Sequence, residues 1–206
     1  WLAIMGCIAD HFLPSFTKEF AETYPEYWGD VKKPFDAYYR TEIGKIAQAI
    51  GFGLKDTTSH VKELQNFLVS CKGPAYVLSE LEGNRSLRER YSDVRKKYQS
   101  LLQRARESLF VNLIFFDYSG DLSISAELAN ELSYLYPKHT IAVAYLKGGL
   151  AKVSLRGKGV LALIEKILKG FEGATGGGHE DAVGARLKVE DVAKFREALE
   201  REVNNG

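Results

Sequence analysis

A chain of 206 residues, 45% hydrophobic and 27% charged, has the make-up of a soluble globular protein, long enough for one full domain or two small ones. Its 28 Lys and Arg against 27 Asp and Glu leave a net charge of +1, so the whole molecule is no polycation. Any contact with nucleic acid has to come from a local basic face. No apolar run reaches the length of a membrane span, and Cys7 and Cys71 have neither metal nor disulfide spacing, which points to a reducing, cytoplasmic setting without a membrane.

The stretch Trp1 to Ala9 is apolar from its first residue and lacks an initiator methionine, a basic leader and a small-residue cleavage site. It reads as a buried strand or helix end whose preceding chain is missing, so the sequence reads as a fragment. Asp10 to Pro14 leaves it as a loop. Residues 15–34 are rich in aromatics and charges and are broken into short helices by Pro25, Gly29 and Pro34. Ile43, Ile46, Ala47 and Ile50 recur at helical spacing until Gly51 and Gly53. Thr57, Thr58 and Ser59 cap a further helix with Val61, Leu64, Phe67 and Leu68 on one face. After breaks at Gly73-Pro74 and Gly83-Asn84, Ser86 to Ser108 forms a long amphipathic helix with a basic outer face, suited to connect two domains.

Beyond it the pattern turns to alternating strands and helices. Leu109 to Phe116 is a short apolar strand, and Ser125 to Leu135 a helix capped by Ser123 or Ser125. Thr140 to Tyr145 and Lys152 to Arg156 are strands on either side of a Gly148-Gly149 turn, and Gly159 to Phe171 is a helix. A glycine loop, a strand around Ala185 to Leu187 and a helix from Val189 to Val203 complete a compact α/β domain with a mixed sheet. The boundaries expected are 1–84 for a mainly helical part, 85–108 for the connector and 109–206 for the α/β domain.

Three places could carry chemistry. Gly176-Gly177-Gly178-His179 costs backbone entropy that a plain connector avoids. As a loop it lets backbone N–H groups converge on an anion, with His179 as a further donor, and a helical turn starting at His179 would strengthen the preference. Alone it fits a flexible turn with an exposed histidine equally well. Ser154 and Arg156 share one side of a strand, where a hydroxyl and a guanidinium suit a phosphate, though such a pair also fits a solvated sheet face. Asp10, directly after an apolar run, stands where metal ligands are mounted and where turn residues and caps also stand. His11 could assist it or simply be exposed. His60 and His139 sit in polar surroundings and receive no role.

Together these features resemble the DHH phosphoesterase superfamily, its RecJ-like nucleases in particular, with wording that leans toward archaeal members. Gly176 to Ala185 resembles the signature of the DHH-associated C-terminal domain, Ser154-Leu155-Arg156 its Ser-x-Arg element, and Gly6 to Asp10 the last motif of the catalytic domain. The resemblance implies a nuclease in which Mn²⁺ or Mg²⁺ activates a water, with Asp10 as a metal ligand. It makes Ser154, Arg156, Gly176, Gly177, Gly178 and His179 the holders of substrate phosphates, His179 lying close to the catalysis. Single-stranded nucleic acid is the implied partner. The family's Asp-x-Asp and Asp-His-His motifs are absent, so this chain alone should not hydrolyse phosphodiesters. Other expectations consistent with the resemblance are a non-catalytic replication-fork scaffold that binds fork proteins and single-stranded DNA, and a phosphodiesterase for short oligonucleotides or cyclic dinucleotides. An alanyl-tRNA-synthetase-like editing protein also shares the domain, but Asp10 in its motif argues against it.

Overall fold

The computed structural model describes residues 1–204 and divides into two compact units, Trp1–Lys97 and Tyr98–Gly206.

The first unit is helical throughout. Residues 1–9, expected as a strand or helix end, are helix α1 (Leu2–Ala9). The spacing decides it, because Ile4, Met5 and Ile8 fall on one helical side and are buried there while Gly6 is exposed. Short helices α2 (Thr17–Thr23), α3 (Pro25–Trp28) and α4 (Pro34–Arg40) follow, the last two opened by prolines in the first turn. Helix α5 (Glu42–Gly53) is the apolar centre, with Ile43, Ile46, Ala47 and Ile50 buried as their period requires. The Thr41 hydroxyl starts it, accepting from the Gly44 N–H at 3.0 Å and donating to the Ala37 carbonyl at 2.5 Å. Helix α6 (Thr58–Ser70) is capped by Thr57, as its sequence implied, and buries Leu64. The long helix α7 (Arg85–Glu107) contributes Leu87 to this core.

The second unit is a six-stranded sheet with helices on its faces. The run Leu109 to Phe116, expected as one strand, is a hairpin of β1 (Leu109–Phe110) and β2 (Leu113–Ser119). Val111 makes the reversal at φ 49, a conformation rare for a β-branched residue, so no glycine or proline announces the turn in the sequence. Helix α8 (Ser125–Leu135) then crosses to β3 (Thr140–Lys147), the crossover that the parallel β2–β3 pair requires. The remaining elements are β4 (Leu150–Arg156), α9 (Val160–Leu168), β5 (Thr175–His179), β6 (Ala182–Lys188) and α10 (Val192–Asn204). The order is β1-β2-β3-β4-β6-β5, antiparallel except at β2–β3, so the sheet is mixed.

Alternation sorts the side chains. Leu113, Phe115, Ala142, Val153, Leu155, Val183, Ala185 and Leu187 line one face and form the main core with Ile164 of α9 and Phe195 of α10. The opposite face buries Ile114, Phe116, Ile141 and Val143, and α8 packs over β3 and β4 there.

The Gly-Gly-Gly-His run is not a loop. It lies within β5, the edge strand, and the reversal after it is the two-residue turn Glu180-Asp181 rather than a helical turn. That turn is tied to the start of α9. The Gly159 N–H donates to Asp181 Oδ1 at 2.8 Å, and the N–H groups of Gly157 and Leu161 donate to the carbonyls of Asp181 and Glu180, each at 3.1 Å. The Glu180 carbonyl thus takes up a free N–H in the first turn of α9, and Asp181 holds the N-cap residue Gly159 in place from a distant position in the chain. Replacing Asp181 by alanine should lower stability by about 1 kcal/mol, the net worth of one hydrogen bond. An unchanged urea midpoint would show that the bond contributes nothing.

Candidate phosphate-binding face

Strand register sets which residues meet. Arg156 pairs with Ala182, which pairs with His179. One step along, Ser154 pairs with Gly184, which pairs with Gly177. Neighbouring strands lie about 4.8 Å apart, so Arg156 and His179 are mounted about 10 Å apart on one face. Ser154, Arg156, Gly177 and His179 therefore share a surface, the face that α8 covers over β3 and β4. Gly184 is exposed, as is every residue of β5. The middle of this surface is bare backbone, because a Cβ on either Gly177 or Gly184 would meet nothing within 4 Å.

The three consecutive glycines serve three different purposes. Gly176 faces the core side, where a Cβ would come within 2.6 Å of the Leu168 side chain and 3.2 Å of Ile164. Gly178 has φ 155, and a Cβ there would drive into the Ala182 carbonyl. Gly177 alone looks onto the open face. The convergent nest expected of a loop is therefore replaced. N–H groups along a strand alternate in direction, so the run offers a floor without side chains and an unpaired edge.

Helix α8 fixes the fourth strand's contribution. The Ser154 hydroxyl lies 3.0 Å from that of Ser125, which is buried in the first turn of α8. Arg156 donates from Nε to Asn130 Oδ1 at 2.7 Å and from Nη1 to the Leu155 carbonyl at 2.7 Å, which holds the guanidinium in place. The N-cap of α8 is Ile124, whose side chain makes no capping hydrogen bond, and neither Ser123 nor Ser125 occupies the N-cap position expected of it. Ser125 is instead committed to Ser154. The start of α8 lies beside Ser154, and a helix N-terminus favours an anion. The buried Tyr118 hydroxyl accepts the Ile124 N–H at 2.7 Å and so sets where α8 begins. Sequence reading missed Ser125, Asn130 and Gly184. The first two are 29 and 26 positions from their partners, and no local pattern links them.

Asp10 belongs to the other unit, exposed as the C-cap of α1. His11 beside it stacks on Phe35 at 4.2 Å and meets the edge of Tyr38 at 5.5 Å. Among the described residues no three of His, Cys, Asp and Glu gather as a metal site would need. These residues therefore do not by themselves fit a metal centre. Nor, among the described residues, is any helix long and apolar enough to cross a membrane.

A mixed sheet with one half-covered, glycine-floored face defines an α/β domain of a specialised kind. Residues 106–205 match the DHHA1 domain. The chain is similar in fold to RecJ from Thermus thermophilus in complex with Mg²⁺, with a TM-score of 0.60 at 13% identity, over 98% of this chain and 30% of that one. A DHH domain described as PF0399, a member of the s1p family of ribosomal proteins, gives 0.56 at 16% identity over 98% and 49%. The pGpG-specific phosphodiesterase PggH from Vibrio cholerae gives 0.53 at 16% identity over 78% and 57%. The chain thus spans under a third of the Thermus protein's length. Comparison with curated proteins finds no match.

Two predictions test this arrangement. Gly178→Ala should lower thermal stability by more than about 1 kcal/mol, because φ is positive and the carbonyl is in the way. Gly177→Ala should leave stability unchanged or raise it by up to about 1 kcal/mol. Equal melting temperatures for the two variants would contradict the separate roles.

The second concerns pH. Burial pushes the Tyr118 hydroxyl up to about 12 from its ordinary 10.0, while the Ile124 N–H pulls the other way. Between these values the unfolded chain has lost the proton and the folded chain still holds it, so stability should fall as pH rises from 10 toward 12. The fall should be less steep in Tyr118→Phe, as chemical denaturation across that range would show.

Proposed function

We propose that this chain is the substrate-holding part of a RecJ-like, metal-dependent phosphodiesterase acting on single-stranded nucleic acid. The observation that carries the reading is the row Ser154–Gly184–Gly177, with Arg156 and His179 on the next row of the same face. A phosphate is bulky, anionic and surrounded by acceptor oxygens. It needs room above the backbone, donors at the side and a cation held still. Gly177 and Gly184 leave the room, Ser154 and the start of α8 supply donors, and Arg156, braced by Asn130, supplies the fixed charge. His179 stands at the far rim as a donor toward a phosphate oxygen near the reacting bond. Gly176 and Gly178 act indirectly in this reading, by letting β5 lie close to α9 and β6.

Asp10 is, in the same reading, one carboxylate toward a Mn²⁺ or Mg²⁺ site whose other ligands come from outside the described residues. RecJ of Thermus thermophilus has been seen in complex with each of these ions. The contribution of this chain is to grip and orient the substrate, which is worth much of a phosphodiesterase's rate when the reacting groups are placed elsewhere.

Titration of a fluorescent oligothymidylate by anisotropy tests the reading. The parent chain should bind weakly, with affinity falling steeply as salt rises, because the contacts are to phosphate. Arg156→Ala should weaken binding about tenfold and reduce the logarithmic salt slope by about 0.7, the value for one cation on a single strand. His179→Ala should weaken it too, and Gly177→Val should abolish it while leaving the fold intact. If Arg156→Ala and His179→Ala both bind like the parent, the site is elsewhere.

A further inference from the structure

The register carries the open face past the residues already described. One row beyond Ser154–Gly184–Gly177 stand Lys152, Arg186 and Thr175, paired in that order across β4, β6 and β5, and all three are exposed. The next row holds Lys147 of β3, Leu150 of β4 and Lys188 of β6. On this face, the positions from β3 to β5 are Ile141, Val143, Tyr145 and Lys147, then Leu150, Lys152, Ser154 and Arg156, then Ala182, Gly184, Arg186 and Lys188, then Thr175, Gly177 and His179. Five are Lys or Arg, and none is Asp or Glu. The whole chain balances 28 bases against 27 acids, so this face is basic where the chain as a whole is nearly neutral.

The spacing is that of a nucleic-acid backbone. Two residues along a strand advance about 6.7 Å, which is the reach of one nucleotide in an extended single strand. Lys152 and Arg186 thus stand one nucleotide step from the Ser154 row, on adjacent strands. Among the described residues neither side chain makes a hydrogen bond or an ion pair, whereas Lys188 has Glu190 at 3.7 Å. Side chains held by internal partners would need to break those bonds before meeting a ligand, and these two do not.

Resting on the function proposed above, we infer that Lys152 and Arg186, with the Thr175 hydroxyl beside them, form a second phosphate subsite. The substrate is then an oligonucleotide laid along β4 and β6, with successive phosphates on successive rows, and not a mononucleotide or dinucleotide held at one point. Arg156 and His179 hold the phosphate nearest the reacting bond. Lys152 and Arg186 hold the next one along, and Lys188 and Lys147 extend the attraction beyond it. The bases need no side-chain readout from this floor, so the subsite selects for chain length and not for sequence.

The test is a length series on the full chain. Thymidine 5′-monophosphate, the dinucleotide pGpG and hexathymidylate are titrated against the parent, against Lys152→Ala/Arg186→Ala, and against Arg156→Ala. The double variant should bind the mononucleotide like the parent, weaken pGpG, whose two phosphates reach both subsites, and lose about tenfold or more for the hexamer. Its salt slope for the hexamer should fall by about 1.4, twice the single-charge value. Arg156→Ala should weaken all three ligands. Circular dichroism melts matching the parent confirm that these exposed substitutions leave the fold intact. If Arg156→Ala weakens all ligands but the double variant binds the hexamer like the parent, the second subsite is wrong and the first stands. If the double variant weakens every ligand equally, Lys152 and Arg186 belong to a single site and the row-by-row placement is overturned. If the parent binds none of the three, both readings fall together.

Discussion

The pairing of β4 with β6 and of β6 with β5 is the constraint on which everything functional in the second unit depends. A strand shows alternate residues to opposite sides, so a slip of one position between β4 and β6 would part Ser154 and Arg156 from Gly184 and Gly177, and one between β6 and β5 would part Gly184 from Gly177. The apolar residues of β6 prevent the slip, since Val183, Ala185 and Leu187 must meet the core formed with α9 and α10. Burial on one side of the sheet thereby fixes chemistry on the other. The hairpin end is secured separately, by the bonds from Asp181 and Glu180 to the start of α9. The polar face needs no packing of its own to be well defined.

That division also explains how a helix can serve a site it barely touches. Helix α8 covers β3 and β4 with Leu128, Ala129 and Leu132, all fully buried, and ends its coverage before β6. Its two polar contributions, Ser125 and Asn130, fall at the border between the covered and the open sheet. There a hydroxyl and an amide can brace Ser154 and Arg156 while those residues remain partly accessible. A helix displaced one strand further would bury the glycine floor, and one displaced the other way would leave Arg156 free to swing.

Much of this could be read from the chain before any coordinates. The helices α5, α6 and α7 follow from apolar spacing, and β3, β4 and β6 from alternation or short apolar runs. The common side of Ser154 and Arg156 follows from period two alone. What escaped reading did so for identifiable reasons. Three glycines carry no hydrophobic period, so nothing in Gly176-Gly177-Gly178 distinguishes an edge strand from a loop, and only pairing with β6 makes it one. The break at Val111 has no glycine or proline to mark it. Ser125 resembled a cap, and its true partner lies on another element. Lys152 and Arg186 are ordinary surface ions in the sequence and become neighbours only through the β4–β6 register.

The position of β5 has one more consequence. It is the last strand of the sheet, and its Thr175-Gly176-Gly177-Gly178-His179 contains no lysine, proline or acidic side chain of the sort that keeps sheet edges from adding foreign strands. What limits it is its length of five residues and the tether at Asp181. An unguarded edge of this kind can take on another extended polypeptide strand. At high concentration the edge of one molecule is therefore the natural place for another copy to dock. Weakening the hairpin tether would first show itself as self-association, ahead of unfolding.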